Sequence, residues 1–260
     1  MINSLQIAKT GMQAQQTQLD VISHNLANVS TAGFKRGTAL FEDLMYQNLR
    51  QVGGNTAEQS QLPTGLQLGL GVRTVATART YTQGNLQQTG NNLDVAINGD
   101  GFFQIEMPDG TTAYTRDGSF KLTAQGELVT NSGHRVLGGV TIPADARSVT
   151  IGTNGLVEVV VGSNPRPQPA GTIELASFVN PAGLEPRGQN LFTETEASGN
   201  PTTGNPGSEG LGPVLQGYLE SSNVNVVQEL VNMIQTQRAY EMNSKAIQTS
   251  DQMLQRLAQL

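Results

Sequence analysis

Apolar residues recur along this chain with two different periods, and the change of period divides it. From the N-terminal side they run Leu5, Ala8, Met12, Leu19, Ile22 and Leu26 in steps of three and four, with Gln15 filling the missing step. Toward the other end Val226, Met233, Tyr240, Ile247 and Leu254 recur every seven residues, and Leu230 interleaves with them. Both are the spacing of a helical seam that packs against another helix. The pattern predicts one long helix ending near Asn28 and a second beginning after Ser221–Asn225, which can cap it, as Asn3 or Ser4 can cap the first. Gly11 adjoins the first seam, as a tolerated defect of about 1 kcal/mol or as a point of close helix approach. Gln15, Gln237 and Ser244 fall on the seams, so a two-helix hairpin alone is weak and further helices from other copies would complete the burial.

Between the helices the period drops to two. Val72–Tyr81 alternates as a strand, and Leu93–Gly139 is a run of short strands separated by turn signals such as Asn98-Gly99-Asp100-Gly101, Pro108-Asp109-Gly110 and Arg116-Asp117-Gly118. That spacing predicts an antiparallel β domain. Val149–Ile151, Leu156–Val161 and Ile173–Val179 continue it, Pro181–Gly212 reads as loop, and Leu215–Glu220 as a returning strand. Phe41–Tyr46 reads as a short mixed segment. Leu62, Leu66, Leu68 and Leu70 alternate around Pro63 in the polar stretch Gln47–Gly71, as in an exposed, interface-forming strand or a hairpin that a partner orders. Asn28 and Gly33 can take left-handed geometry at the turn that ends the first helix, with Phe34 folding back as an anchor.

The fold class that follows is α+β: a discontinuous, coiled-coil-like pair of terminal helices, a central antiparallel all-β domain and an extended connecting β segment. The expected division is 1–30 with 224–260 for the helices, 31–90 with 205–223 for the connecting segment and its hairpin at about 47–71, and 91–204 for the central β domain.

Composition narrows the function. Hydrophobic content is 37% and charged content 14%, and a net charge of −6 offers no basic face for nucleic acid. The chain has no cysteine, which removes disulfides, thiolate metal sites and a Cys nucleophile. No apolar run approaches the ~20 residues of a membrane-spanning helix. A basic stretch followed by an apolar one is also missing, so no cleaved signal peptide is expected.

Catalytic chemistry finds little to work with. His24 and His134 have no local acid or nucleophile beside them, and Asp94, Asp100, Asp109 and Asp117 sit in turn signals where aspartate bonds to its own backbone. No catalytic, cofactor or metal site is expected. An enzyme acting on periplasmic peptidoglycan is the competing class and would need a carboxylate or histidine constellation.

Several motifs carry a resemblance. Asn25-Leu26-Ala27-Asn28 followed by Thr31-Ala32-Gly33-Phe34-Lys35 resembles the N-terminal signature of the rod and hook proteins, the axial proteins of the bacterial flagellum. Leu219-Glu220-Ser221-Ser222-Asn223 and Gln237-Arg238-Ala239-Tyr240-Glu241 resemble the matching C-terminal signature. Gly101-Phe102-Phe103 and Thr115-Arg116-Asp117-Gly118-Ser119-Phe120 resemble the central domain of the same family. Within it, the length and the Gln47–Gly71 segment point to the distal rod rather than to the hook or proximal rod. The resemblance implies a homopolymer: a rigid drive shaft built of subunits exported through the flagellar type III apparatus, with terminal helices lining an inner tube. Proximal rod proteins and the hook protein would adjoin it, P-ring and L-ring proteins would form its bushing, and nothing would insert in a membrane. The helical seam residues, the signature turn (Asn25, Asn28, Thr31, Gly33, Phe34, Lys35) and a lattice-locking segment (Leu62, Pro63, Leu66, Leu68, Leu70) are the expected functional residues.

Overall fold

A computed structural model describes residues 2–50, 55–57, 60–61, 64–162, 166–208 and 210–258. Helix α1 spans Ile2–Ala27 and helix α2 spans Val226–Ala258. Asn225 caps α2, its Oδ1 accepting the Gln228 N–H at 3.2 Å, because the first turn of a helix has donors with no partner of their own. Asn3 and Ser4 lie inside the first turn of α1 instead of capping it, and Asn3 Nδ2 donates to Gln47 Oε1 at 3.2 Å. Strands between the helices pair antiparallel throughout, so the fold is α+β with a β-rich middle.

The chain forms two compact units. One combines Met1–Leu26, Gly37–Ala78 and Asn225–Leu260. Its strands are two antiparallel pairs, Gly37–Asp43 with Val72–Arg79 and Tyr46–Arg50 with Leu66–Gly69. Asn55–Ala57 and Ser60–Gln61 also pair antiparallel. Phe41–Tyr46 joins two strands through Leu44 and Met45, and the first of them, Gly37–Asp43, is a regular strand. Its partner lies more than thirty residues away, where local pattern cannot reveal it.

The other unit combines Ala27–Arg36 with Arg79–Val224. Its central strand, Phe102–Glu106, pairs with Thr112–Thr115 on one side and with Arg135–Val136 and Leu175–Ser177 on the other. This strand is buried on both faces. Phe103 and Ile105 enter a large apolar cluster with Val95, Val157, Leu175 and Val214, while Phe102 enters a smaller aromatic one with Tyr114, Phe178 and Phe192. Phe102 meets Phe178 edge-on at 5.9 Å, and Tyr114 meets Phe178 at 4.7 Å, the geometry that ring quadrupoles favour.

Pro181–Gly212 differs from the loop its composition predicts. It carries short strands at Glu185–Gly188, Leu191–Thr193 and Thr202–Gly204 that extend the sheet. Backbone pairing with an existing sheet edge overrides weak local propensity here. Gln189 and Asn190, at φ 53° and 60°, make the tight two-residue turn of that hairpin.

The chain returns along the unit through Val214–Gln216, paired with Val95–Ile97, and Tyr218–Glu220, paired with Leu86–Gln88. Gly217 breaks the two pairings at φ 75°. Asn28 is not left-handed: the described non-glycine residues with positive φ are Gln189 and Asn190, and Gly33 alone bends the signature turn, at φ 67°.

Candidate self-assembly site

On α1, Ala8 and Ile22 are buried and Leu5, Met12, Leu19 and Leu26 half-buried. The covered face of α2 takes one row from the seven-residue repeat and one from beside it. Met233, Ile247 and Leu254 are half-buried, while the interleaving covered positions are Glu229, Thr236, Asn243 and Ser250. Leu230 lies on the open side at 42% exposure, and Val226 and Tyr240 are also exposed.

Polar contacts join the two helices. Asn243 Nδ2 donates to Gln15 Oε1 at 3.2 Å. A Cβ on Gly11 would come within 2.9 Å of Asn243 Nδ2, so Gly11 marks close helix approach. At the buried end, Asn25 Nδ2 reaches Glu229 Oε2 at 3.4 Å and the Gly37 carbonyl at 2.8 Å, and its Oδ1 accepts the Gly37 N–H at 2.8 Å. Asn25 thus satisfies a strand start and a helix start together.

The opposite side of α2 is apolar and open. Val227, Leu230, Val231 and Ile234 follow the i, i+3, i+4, i+7 rule of one helical face, and Val227 is 70% exposed. The hairpin is similar. Leu66 and Leu68 share a face and are 53% and 44% exposed, with Met45 and Leu49 also open. Leu70 is half-buried, and Leu62 and Pro63 lie outside the described residues. The α2 stripe and the hairpin are both exposed apolar surfaces.

The signature turn does something different. Within the β unit Thr31 closes onto Asn28 through its N–H and hydroxyl, both at 3.2 Å. Phe34 is buried under the Arg79 guanidinium, 5.7 Å from its ring centre. Lys35 is fully buried. Its Nζ donates to Glu220 Oε1 at 2.6 Å and to the Thr82 carbonyl at 2.9 Å. Arg116, also buried, sets NH1 3.3 Å from Glu220 Oε2, donates NH2 to the Gly99 carbonyl at 2.8 Å, and stacks 5.3 Å from the Phe102 ring centre. Burial pushes the Lys35 pKa below its usual value, and Glu220 works against that push. Arg116 is shifted the same way for the same reason.

The turn, central and C-terminal motifs therefore meet at one ionic cluster. Lys35 was among the expected functional residues and its partners were not, although Glu220 and Arg116 both stand inside signature motifs. A basic residue in each of two motifs and an acid in the third, in a chain only 14% charged, was the available signal.

His134 Nε2 lies 3.3 Å from Gln189 Oε1, and Asp109 and Asp117 accept from Thr111 and Ser119 two residues on, as turn aspartates do. No cluster of metal-binding side chains occurs among the described residues, and no described helix is long and apolar enough to cross a membrane.

The β unit is fastened by the chain's own signature motifs, as in a structural protein. Comparisons with known proteins give the family. Residues 5–35 match the family described as flagella basal body rod protein, 96–159 the flagellar hook protein FlgE/F/G D1 domain, and 215–260 the flagellar basal body rod FlgEFG protein C-terminal region. A flagellar basal-body rod protein FlgG of Buchnera aphidicola subsp. Schizaphis graminum is 58% identical over 260 residues, covering 100% of both chains. That of Borreliella burgdorferi is 50% identical, covering 98% of this chain and 97% of its own, and that of Bacillus subtilis 41%, covering 100% and 99%. The chain belongs to the flagellar basal-body rod protein family, whose members are structural parts of the rod.

Proposed function

We propose that this chain is a structural subunit of the distal rod, polymerising helically into the rigid drive shaft that carries torque across the periplasm to the hook. The observation that carries this reading is the open apolar face of α2, with Val227 70% exposed beside Leu230, Val231 and Ile234. A lone soluble subunit gains nothing from that face, whereas a bundle of neighbouring copies buries it. The terminal helices line the inner tube, and the β unit forms the outer layer within the P-ring and L-ring bushing. Proximal rod proteins adjoin inward and the hook protein outward. Subunits reach the site through the flagellar type III export apparatus. The role is mechanical and needs no catalysis, in keeping with relatives named as rod proteins.

The 47–71 hairpin locks the lattice by reaching an adjacent subunit, which its exposed Leu66 and Leu68 support. Electron microscopy of assembled protein tests both points. Helical tubes are expected from the full chain, and bent, hook-like tubes after deletion of the hairpin. Stable monomers with hydrolytic activity would end the rod reading, and straight rods after the deletion would end the locking role.

A further inference from the structure

Segments far apart in the chain close on one another around Glu220. Its Oε1 accepts from Lys35 Nζ at 2.6 Å and from the Gly84 N–H at 2.8 Å, its Oε2 faces Arg116 NH1 at 3.3 Å, and its carbonyl accepts the Gly33 N–H at 2.8 Å. Asn223 adds to the knot: Oδ1 accepts the Arg36 N–H at 2.7 Å, and Nδ2 donates to the Thr80 and Thr82 carbonyls at 2.8 and 3.1 Å. Lys35 is 185 positions from Glu220, and Arg116 is 104.

Consider the unit before Glu220 arrives. Lys35 and Arg116 would bring two cations to one buried place with no buried anion between them, only the exposed Asp100 carboxylate acting on both from the solvent side. Burying unpaired charge is strongly unfavourable, and the Gly33 and Gly84 amides would lack acceptors. Most of the apolar core depends less on the returning segment. Phe103, Ile105, Val157 and Leu175 meet through strands that all precede residue 200, and Leu211 and Val214 add to the same cluster from the segment that follows.

We propose that the Lys35–Glu220–Arg116 cluster is a latch that closes last, so that the turn at 31–36 stays unlocked until the segment carrying Glu220 has reached it. A chain that is delivered end first then stays incomplete until most of it has arrived. That use rests on the rod reading, while the order of closing does not.

Pulse-labelled hydrogen exchange during refolding of the full chain from urea, at a concentration that keeps it monomeric, tests the order. The strands 102–106 and 112–115 should gain protection first, with Gly33 and Gly84 following together in one later phase. In native Glu220→Gln, protection at Gly33 and Gly84 should fall by about tenfold relative to those strands, the mark of local opening. Glu220→Asp, which keeps the charge, serves if the glutamine variant does not fold; it should keep the order with a smaller loss. Protection of Gly33 before or together with the core strands overturns the latch, as does an equal loss at turn and core. Either failure would leave the rod reading untouched, because assembly into tubes is scored separately.

Discussion

Lys35→Met and Glu220→Gln remove opposite sides of one ion pair, and the structure predicts that they are far from equivalent. Among the buried groups, Lys35 and Arg116 against Glu220 leave a formal charge of 2 − 1 = +1, with Lys35 and Glu220 fully buried, while the exposed Asp100 acts on both cations through solvent-screened attraction. Lys35→Met brings that charge to zero. Arg116 still faces Glu220, the Gly84 N–H keeps its acceptor, and methionine fills the space of the lysine stem. Two hydrogen bonds from Lys35 are lost, but the Thr82 carbonyl keeps its donor from Asn223 and Glu220 Oε1 keeps the Gly84 N–H, and removal of a charge that burial disfavours offsets part of the loss. With no acceptor left orphaned, a net cost of about 1–2 kcal/mol follows. Glu220→Gln instead leaves two buried cations with no buried anion, only the exposed Asp100 acting on them. A glutamine oxygen can serve Lys35 and Gly84 only by turning its amide NH2 toward Arg116. The cost of an uncompensated buried charge is about 3–5 kcal/mol. Urea unfolding followed by circular dichroism, at a concentration that keeps the chain monomeric, measures both. Equal costs for the two variants, or a larger one for Lys35→Met, would refute the charge argument.

Two further predictions concern single buried groups. Gly33→Ala places a Cβ at φ 67°, 2.6 Å from the Arg116 carbonyl carbon and the Asp117 nitrogen, both main-chain atoms that cannot rotate away. Left-handed strain costs about 1 kcal/mol and the displaced backbone brings the total to roughly 3, a fall in Tm of roughly 6–12 °C; a Tm within a degree of wild type would contradict it. The Tyr81 hydroxyl is buried without a hydrogen-bond partner among the described residues, so Tyr81→Phe should stabilise by about 1 kcal/mol. Its pKa, like that of Tyr114, is pushed from 10.0 up to about 12, in both cases chiefly by burial. Above pH 10 the unfolded chain therefore sheds protons that the folded one keeps. These tyrosines hold their stabilisation below that pH and lose it as the pH climbs from 10.0 toward about 12. Denaturant midpoints across that range should fall less steeply for Tyr81→Phe than for wild type, and identical slopes would rule out the assignment.

How much of this could be read from residues alone depends on the range of the interaction. Helices were legible because a three-and-four period is local, and the turn aspartates Asp109 and Asp117 because each accepts from a residue two positions ahead, whereas Asp94 accepts from Thr89 and Asn91 before it. Gly37–Asp43 and the strands within Pro181–Gly212 were not, because backbone partners supplied by distant segments decide them. The α2 seam shows the same limit on a finer scale. Its repeat was visible, yet the interleaving covered row is Glu229, Thr236, Asn243 and Ser250 and excludes Leu230. Apolar character alone points to the open face, whereas the paired polar contacts of Gln15 and Asn25 occupy the covered one.

Sequence by itself determined that this chain is a family of motifs on two helices and a β-rich middle, because periodicity, turn residues and short signatures are properties of neighbours. Only the tertiary structure decided that three of those motifs are one object. Lys35, Arg116 and Glu220 look like scattered charges until folding removes water from around them. Once buried, each cation needs the shared carboxylate, and the distance between them along the chain ceases to matter.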